Sequence, residues 1–303
     1  MKILLCTSQD VSRKLTEFFV GKKDIELTVV TQVTRRDQIY RYESAIEFCE
    51  GQGIPCWSPG RIDTDFIEKV RALHPDLIVA AYFPKIFPKA LLEIPRLGAV
   101  NVHPGDLPFY RGTFAVPWAI LNGENDITVT LHYIDSGVDS GDIIAKKRSP
   151  VRPDETGFEL YLRAMHLAAD LIMESFDDLV DGKLSRQPQT GHGSYYNQIE
   201  RRCHIDWHQT CAQVQRIVRV HAKPYLPAYT YLANRCIYIN RVSICKSEGA
   251  TAHGSGFIAK VFPDKRFAVA CVDGWILVED YEAYPHLDDE QFGLHFAEGS
   301  RLE

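Results

Sequence analysis

The sequence predicts an α/β protein: an N-terminal, Rossmann-like, mostly parallel sheet with helices on both faces, then a small C-terminal OB-like β-barrel. Three observations predict it. The first half alternates short β-branched runs with helical apolar spacing, which implies right-handed crossovers and a parallel sheet. A stretch rich in Gln, Pro, Gly, Ser and Tyr then reads as a linker. The last third carries closely spaced short strands between turn residues, the pattern of a small barrel. The expected division is a catalytic domain over 1–186, a linker over 187–204 and a barrel over 205–303.

Taken in order, Ile3–Cys6, Leu27–Thr31, Leu77–Ala81 and Ala99–His103 read as strands, with helices at Arg13–Phe19, Ile39–Glu50 and Asp65–Leu73 between them. Thr7-Ser8-Gln9-Asp10 follows the first strand where a dinucleotide site would carry G-x-G-x-x-G, so a nicotinamide site is not expected. Another strand is expected at Ile127–Tyr133. Thr156 and Glu159 have capping-box spacing ahead of an apolar stripe through Phe158, Leu162, Met165, Ile172, Phe176 and Leu179, which predicts a long helix ending near Gly182. Ile205–Lys223 reads as a further amphipathic helix stopped by Pro224. Strands are expected at Ala228–Leu232, Cys236–Ile239, Gly256–Val261, Phe267–Val272 and Trp275–Glu279.

The chain has 303 residues, 45% hydrophobic and 24% charged, values of a globular protein long enough for two cores. No apolar run approaches the roughly 20 residues of a membrane span, and the N-terminus lacks a secretory pattern, so a cytoplasmic protein is expected. Eight cysteines are scattered with no C-x-x-C, the usage of small buried hydrophobes. Cys203, His204 and His208 lie close together, but no second ligand pair completes a zinc site, and no metal is expected. The formal charge of −6 argues against non-specific nucleic-acid binding.

The chemistry concentrates in Gly98-Ala99-Val100-Asn101-Val102-His103-Pro104-Gly105. Asn101 and His103 are two apart, so on a strand they share one face. Leu107-Pro108-Phe109-Tyr110-Arg111-Gly112 follows, and Ile134-Asp135-Ser136-Gly137-Val138-Asp139-Ser140-Gly141-Asp142 comes after the strand at 127–133. By themselves these segments could be a solvated turn and an Asx-rich loop. A calcium loop does not fit their spacing.

The order of Asn-x-His-Pro, Leu-Pro-x-Tyr-Arg-Gly and Val-Asp-Ser-Gly-Asp resembles the folate-dependent formyltransferases, a group that includes methionyl-tRNA formyltransferase, glycinamide ribonucleotide transformylase and sugar N-formyltransferases. The resemblance extends to Ile205-Asp206-Trp207, the helix through Arg219, and Pro224–Tyr231. It implies transfer of a formyl group from 10-formyltetrahydrofolate, as donor co-substrate and without metal, onto an acceptor amine. It makes Asn101, His103 and Asp139 the catalytic set. A carboxamide and an imidazole can stabilise the oxyanion formed at the attacked carbon, and an imidazole oriented by a carboxylate can move the proton. The resemblance also puts the donor beside Phe83, Lys85, Ile86, Phe87, Ile134, Asp135 and Val138, and the acceptor beside Tyr82, Arg111 and Gly112, with Arg111 on an anionic group of the acceptor or a nearby carboxylate. Two positions depart from the family pattern. Gly105-Asp106 stands where Ser-Leu is usual, so an added carboxylate facing the site is expected. Leu226-Pro227 replaces Pro-Gly.

For the acceptor, Thr31–Gln38 is short and mildly basic, and His204–Glu303 holds 10 Lys and Arg against 12 Asp and Glu, a balance of −2. An acidic barrel suits an RNA backbone poorly, so a nucleotide-linked amino sugar is the favoured acceptor, with methionyl-tRNA the alternative and another small amine a third choice. A catalytically silent nucleotide-sugar- or folate-binding protein is the reading from a different class. The barrel and an uncovered sheet edge both offer surfaces for a homodimer.

Overall fold

The computed structural model describes residues 1–32, 45–200, 202–245, 254–286 and 289–303. The chain divides into two compact units. One comprises Met1–Val116, Asn125–Pro150 and Tyr161–Gln198; the other comprises Pro117–Glu124, Val151–Leu160 and Ile199–Glu303.

In the first unit the elements alternate as the patterning requires: β1 (Lys2–Thr7), α1 (Val11–Val20), β2 (Glu26–Val30), α2 (Ala45–Gln52), β3 (Cys56–Trp57), α3 (Thr64–Leu73), β4 (Leu77–Ala81), α4 (Lys89–Leu92) and β5 (Ala99–His103). The N-terminal part of the helix expected at Ile39–Glu50 lies outside the described residues, as does Val33–Gln38. Then follow β6 (Arg111–Gly112), α5 (Ala115–Asn122), most of which belongs to the second unit, β7 (Asp126–Tyr133), β8 (Ile143–Pro150), α6 (Gly157–Val180), whose first four residues also belong there, and β9 (Tyr195–Tyr196). The main sheet runs β3-β2-β1-β4-β5-β7-β8, parallel up to β5 and antiparallel from there on.

Strand residues of both parities are buried, so both faces are covered. Leu4, Cys6, Ile78 and Ala80 point to one side, where Phe66 and Val70 of α3 and Leu91 of α4 complete a core cluster. Elsewhere in this unit Phe19 of α1, fully buried, meets Phe18 and Phe176 of α6 edge-on at 5.1 Å. Burying such a ring stabilises the fold by roughly 1.5–3 kcal/mol. The Thr156/Glu159 capping box forms: each residue's side chain accepts from the other's backbone N–H, at 3.2 and 2.9 Å.

The second unit adds α7 (Cys211–Val220), β10 (Ala228–Leu232), β11 (Arg235–Cys245), β12 (Ile258–Val261), β13 (Phe267–Ala270), β14 (Trp275–Tyr284) and α8 (Asp289–His295). Its antiparallel sheet runs β10-β11-β14-β13-β12. The C-terminal residues then join the two edge strands. Leu302 bridges Leu232 at the end of β10, and Arg301 bridges Phe257 next to β12. These contacts cover part of each edge.

The helix expected from Ile205 begins only at Cys211. Thr210 caps it in a capping box with Gln213. Residues before the cap are held extended instead: Ile205 N–H donates to Tyr229 O, and Trp207 is buried with its indole N–H on Thr230 Oγ1 at 3.0 Å. Satisfaction by a neighbouring strand has overridden helical periodicity. All eight cysteines are free, four of them buried, and burial pushes the Cys6 and Cys271 thiols up. Among the described residues no helix is long and apolar enough to cross a membrane.

Candidate active site

Sheet register assembles the site. Asn101 and His103 project from one face of β5, and antiparallel pairing sets Asn101 opposite His132 and His103 opposite Thr130 of β7. Directly opposed residues share a face, so one patch of sheet carries a carboxamide, two imidazoles and a hydroxyl. Thr130 Oγ1 donates to Gly105 O at 2.7 Å and anchors the turn after β5.

The loop after β7 brings Asp139 to this patch. Its Oδ2 lies 3.4 Å from His103 Nδ1 and its Oδ1 lies 3.6 Å from His132 Nε2. Asp139 Oδ2 also accepts from Gly112 N–H at 2.9 Å. Asp139 itself is left-handed, with φ of 51°, a conformation Asp adopts more readily than most side chains. On the far side, His103 Nε2 hydrogen-bonds Tyr110 O at 2.6 Å, so both nitrogens of this buried ring face oxygens that only accept. Asn101 Nδ2 lies 3.1 Å from His132 Nε2. The three groups read from the sequence therefore converge, with His132 as a fourth.

A stretch expected to be linker packs into this unit as well. Gln189 Nε2 donates to Asp139 O at 2.9 Å and to Gly141 O at 2.7 Å, and Gln189 Oε1 accepts from Arg111 Nε and Nη2 at 3.0 and 2.6 Å. Arg111 Nη1 reaches Tyr195 Oη at 3.2 Å. The guanidinium expected on an anion is thus engaged by an amide oxygen and a phenol. β9 pairs with β6, and Gly112 sits there at φ 93°, where a Cβ would come within 2.4 Å of Tyr196 O.

The other expected site residues are dispersed. Phe87 is buried in the core cluster with Phe83 and Ile134 packed against it, whereas Ile86 and Val138 are exposed. Lys85 Nζ donates to Gly60 O at 2.6 Å. Asp135 Oδ1 accepts from Gly137 N–H and Ser140 Oγ within its own loop. Tyr82 has φ of 54°, and its ring meets Tyr161 edge-on at 5.6 Å. The added carboxylate, expected to face the site, is ion-paired: Asp106 is held by Lys146 Nζ at 2.5 Å and Arg148 Nη2 at 3.1 Å. Among the described residues no His, Cys, Asp and Glu group could hold a metal ion. In the second unit, His204 Nε2 instead bonds Glu303 O at 2.7 Å.

His132 was not singled out in the sequence. Its signal is the alternation Ile127-Thr128-Val129-Thr130-Leu131-His132, whose polar face is buried as fully as its apolar one. Burial, with a smaller push from His103, outweighs Asp139 and lowers its pKa to about 4. Burial lowers His221 of the second unit in the same direction. Both histidines take up protons more readily unfolded, where the ordinary value is about 6.5. Stability is therefore expected to fall as the pH drops from about 6.5 toward about 4, by on the order of 1–3 kcal/mol. Melting temperatures across this range check it, and a flat profile would contradict it.

A carboxamide, an imidazole and a carboxylate gathered beside one face of an α/β sheet are groups suited to acyl-type group transfer. Residues 17–175 match the family described as Formyl transferase, and residues 199–285 match the Formyl transferase C-terminal domain. Methionyl-tRNA formyltransferase of Pelobacter propionicus is 34% identical over 286 residues, covering 91% of this chain and 88% of that protein. The same enzyme of Ruminiclostridium cellulolyticum is 31% identical over 288 residues, covering 93% and 92%. Among solved structures, an N-formyltransferase from Helicobacter canadensis in complex with folinic acid and dTDP-3-aminofucose shares the fold with a TM-score of 0.73 at 17% identity, covering 93% and 99%. Methionyl-tRNA formyltransferase from Clostridium thermocellum does so with 0.56 at 18%, covering 82% and 95%. The chain belongs to the formyl transferase family, and it is a formyltransferase.

Proposed function

We propose that this cytoplasmic enzyme moves the formyl group of 10-formyltetrahydrofolate onto a primary amine, with Asn101, His103 and Asp139 carrying the step. One observation supports this reading above the rest: Asp139 lies beside His103, and Asn101 and His103 project from a single face of the sheet. An Asn101 N–H stabilises the oxyanion that forms as the amine attacks the formyl carbon. His103, with Asp139 beside it, relays the proton lost by the amine toward the departing folate nitrogen. Phe83, Ile134, Ile86 and Val138 offer apolar walls to a flat pterin, the last two from exposed positions.

Two acceptors have separate support. The relatives that align along nearly the whole chain are methionyl-tRNA formyltransferases, and they favour methionyl-tRNA. A nucleotide-linked amino sugar is favoured by the balance of −2 from His204 to Glu303, which gives an RNA backbone little to hold. Parallel assays in EDTA with 10-formyltetrahydrofolate and either charged initiator tRNA or a panel of nucleotide-linked amino sugars decide between them. Formylmethionyl-tRNA as the product is the expected result on the first reading. A formamido sugar with no inhibition by bulk tRNA would establish the second, and loss of all turnover in EDTA would refute the metal-free mechanism.

A further inference from the structure

His132 stands in direct register with Asn101 and is almost wholly buried. Its hydrogen bonds determine its tautomer. Nδ1 lies 2.7 Å from Tyr133 O, and a carbonyl oxygen can only accept, so the proton of the neutral ring is on Nδ1. Nε2 is then a bare acceptor, and the group facing it at 3.1 Å must be the amide NH₂ of Asn101, not its carbonyl oxygen. One N–H of that NH₂ is spent on His132 and the second is left to point elsewhere.

From this geometry we infer that His132 is a positioning residue: it sets the flip of the Asn101 carboxamide so that a hydrogen-bond donor, and not Oδ1, is presented to the developing oxyanion. The inference rests on the catalytic role proposed for Asn101. Without a bare Nε2 the carboxamide has two orientations of similar packing, since its O and NH₂ are nearly isosteric, and one of them would turn a lone pair toward negative charge. The charged and titratable groups facing the ring are Asp139, His103 and, further off, Asp135. Asp139 would attract a proton to Nε2, but desolvation of a ring 2% exposed outweighs it. The ring is therefore neutral near neutral pH. Nε2 keeps its lone pair for Asn101, and Asp139 is left to partner His103.

The test is a double-mutant cycle. Asn101→Ala should lower kcat by about 10²-fold or more, the cost of an oxyanion donor. His132→Leu should lower kcat by at least ~10-fold with the KM for the formyl donor little changed, the pattern of a group felt only in the transition state. In the double variant the losses should not add, leaving a rate within about twofold of Asn101→Ala alone, because His132 acts through a group already removed. Additive losses, or a normal rate in His132→Leu, would overturn the inference while leaving the role of Asn101 in place; a normal rate in Asn101→Ala would overturn both. Ring ¹⁵N NMR of the wild-type protein at neutral pH gives an answer that needs no variant. A protonated Nδ1 and bare Nε2 at His132 are expected, and the opposite tautomer or a doubly protonated ring would refute the role.

Discussion

Replacing His103 with Ala, or Asp139 with Asn, is expected to lower turnover by about 10²-fold or more while leaving the fold intact. His103 is buried at the end of β5 with its two nitrogens directed at Tyr110 O and Asp139 Oδ2, and removing the ring leaves the backbone pairing of β5 untouched. In Asp139→Asn the side-chain oxygen can still accept from Gly112 N–H, so the loop keeps its anchor. What disappears is the negative charge beside the imidazole, and with it the partner of the proton in transit. Single-turnover rates measured with melting temperatures check this. Near-normal rates in both variants would remove these residues from the mechanism.

Gly141→Ala should cost at least ~10-fold in turnover and about 1–3 kcal/mol in stability, by displacing the loop that bears Asp139. A Cβ at position 141 would lie 2.0 Å from Tyr133 O and 2.8 Å from its carbonyl carbon. The obstacle is backbone next to the paired end of β7 and cannot swing aside as a side chain could. The same carbonyl oxygen holds His132 Nδ1, and Gly141 O is one of two acceptors for Gln189. A shift here therefore disturbs Asp139, the Gln189 amide that holds its loop and the His132 ring together. Gly51→Ala in α2, where a new Cβ meets nothing within 4 Å, is the control and should retain full activity. Equal rates in the two variants would show that the close approach at Gly141 is dispensable.

Periodicity made the scaffold legible. Leu77–Ala81 is an apolar run of the length that a doubly covered parallel strand demands, Ala99–His103 carries the β-branched Val100 and Val102, and both form strands over those same residues. Asn101 and His103 could be placed on one face because side-chain direction along a strand has a period of two. Asp139 was legible through its motif, but its distance to His103 was not.

What escaped was settled by contacts distant in sequence. His132 lies 31 residues from Asn101, and only the β5–β7 register puts them opposite each other. Gln189 lies 50 residues from Asp139, in a stretch whose composition says linker. Asp106 turned to Lys146 and Arg148 because β8 runs past it. The helix at Ile205 gave way to β10, and Leu302 bridges the end of β10 from the very end of the chain.

By itself the sequence determined the local periods and the residue chemistry: where most of the long strands and helices form, and that an amide, an imidazole and a carboxylate are available. Only the tertiary structure decided which donor meets which acceptor. A side chain's tautomer, flip and charge depend on the oxygens and nitrogens that surround it, and those neighbours come from strands and loops that no local pattern pairs.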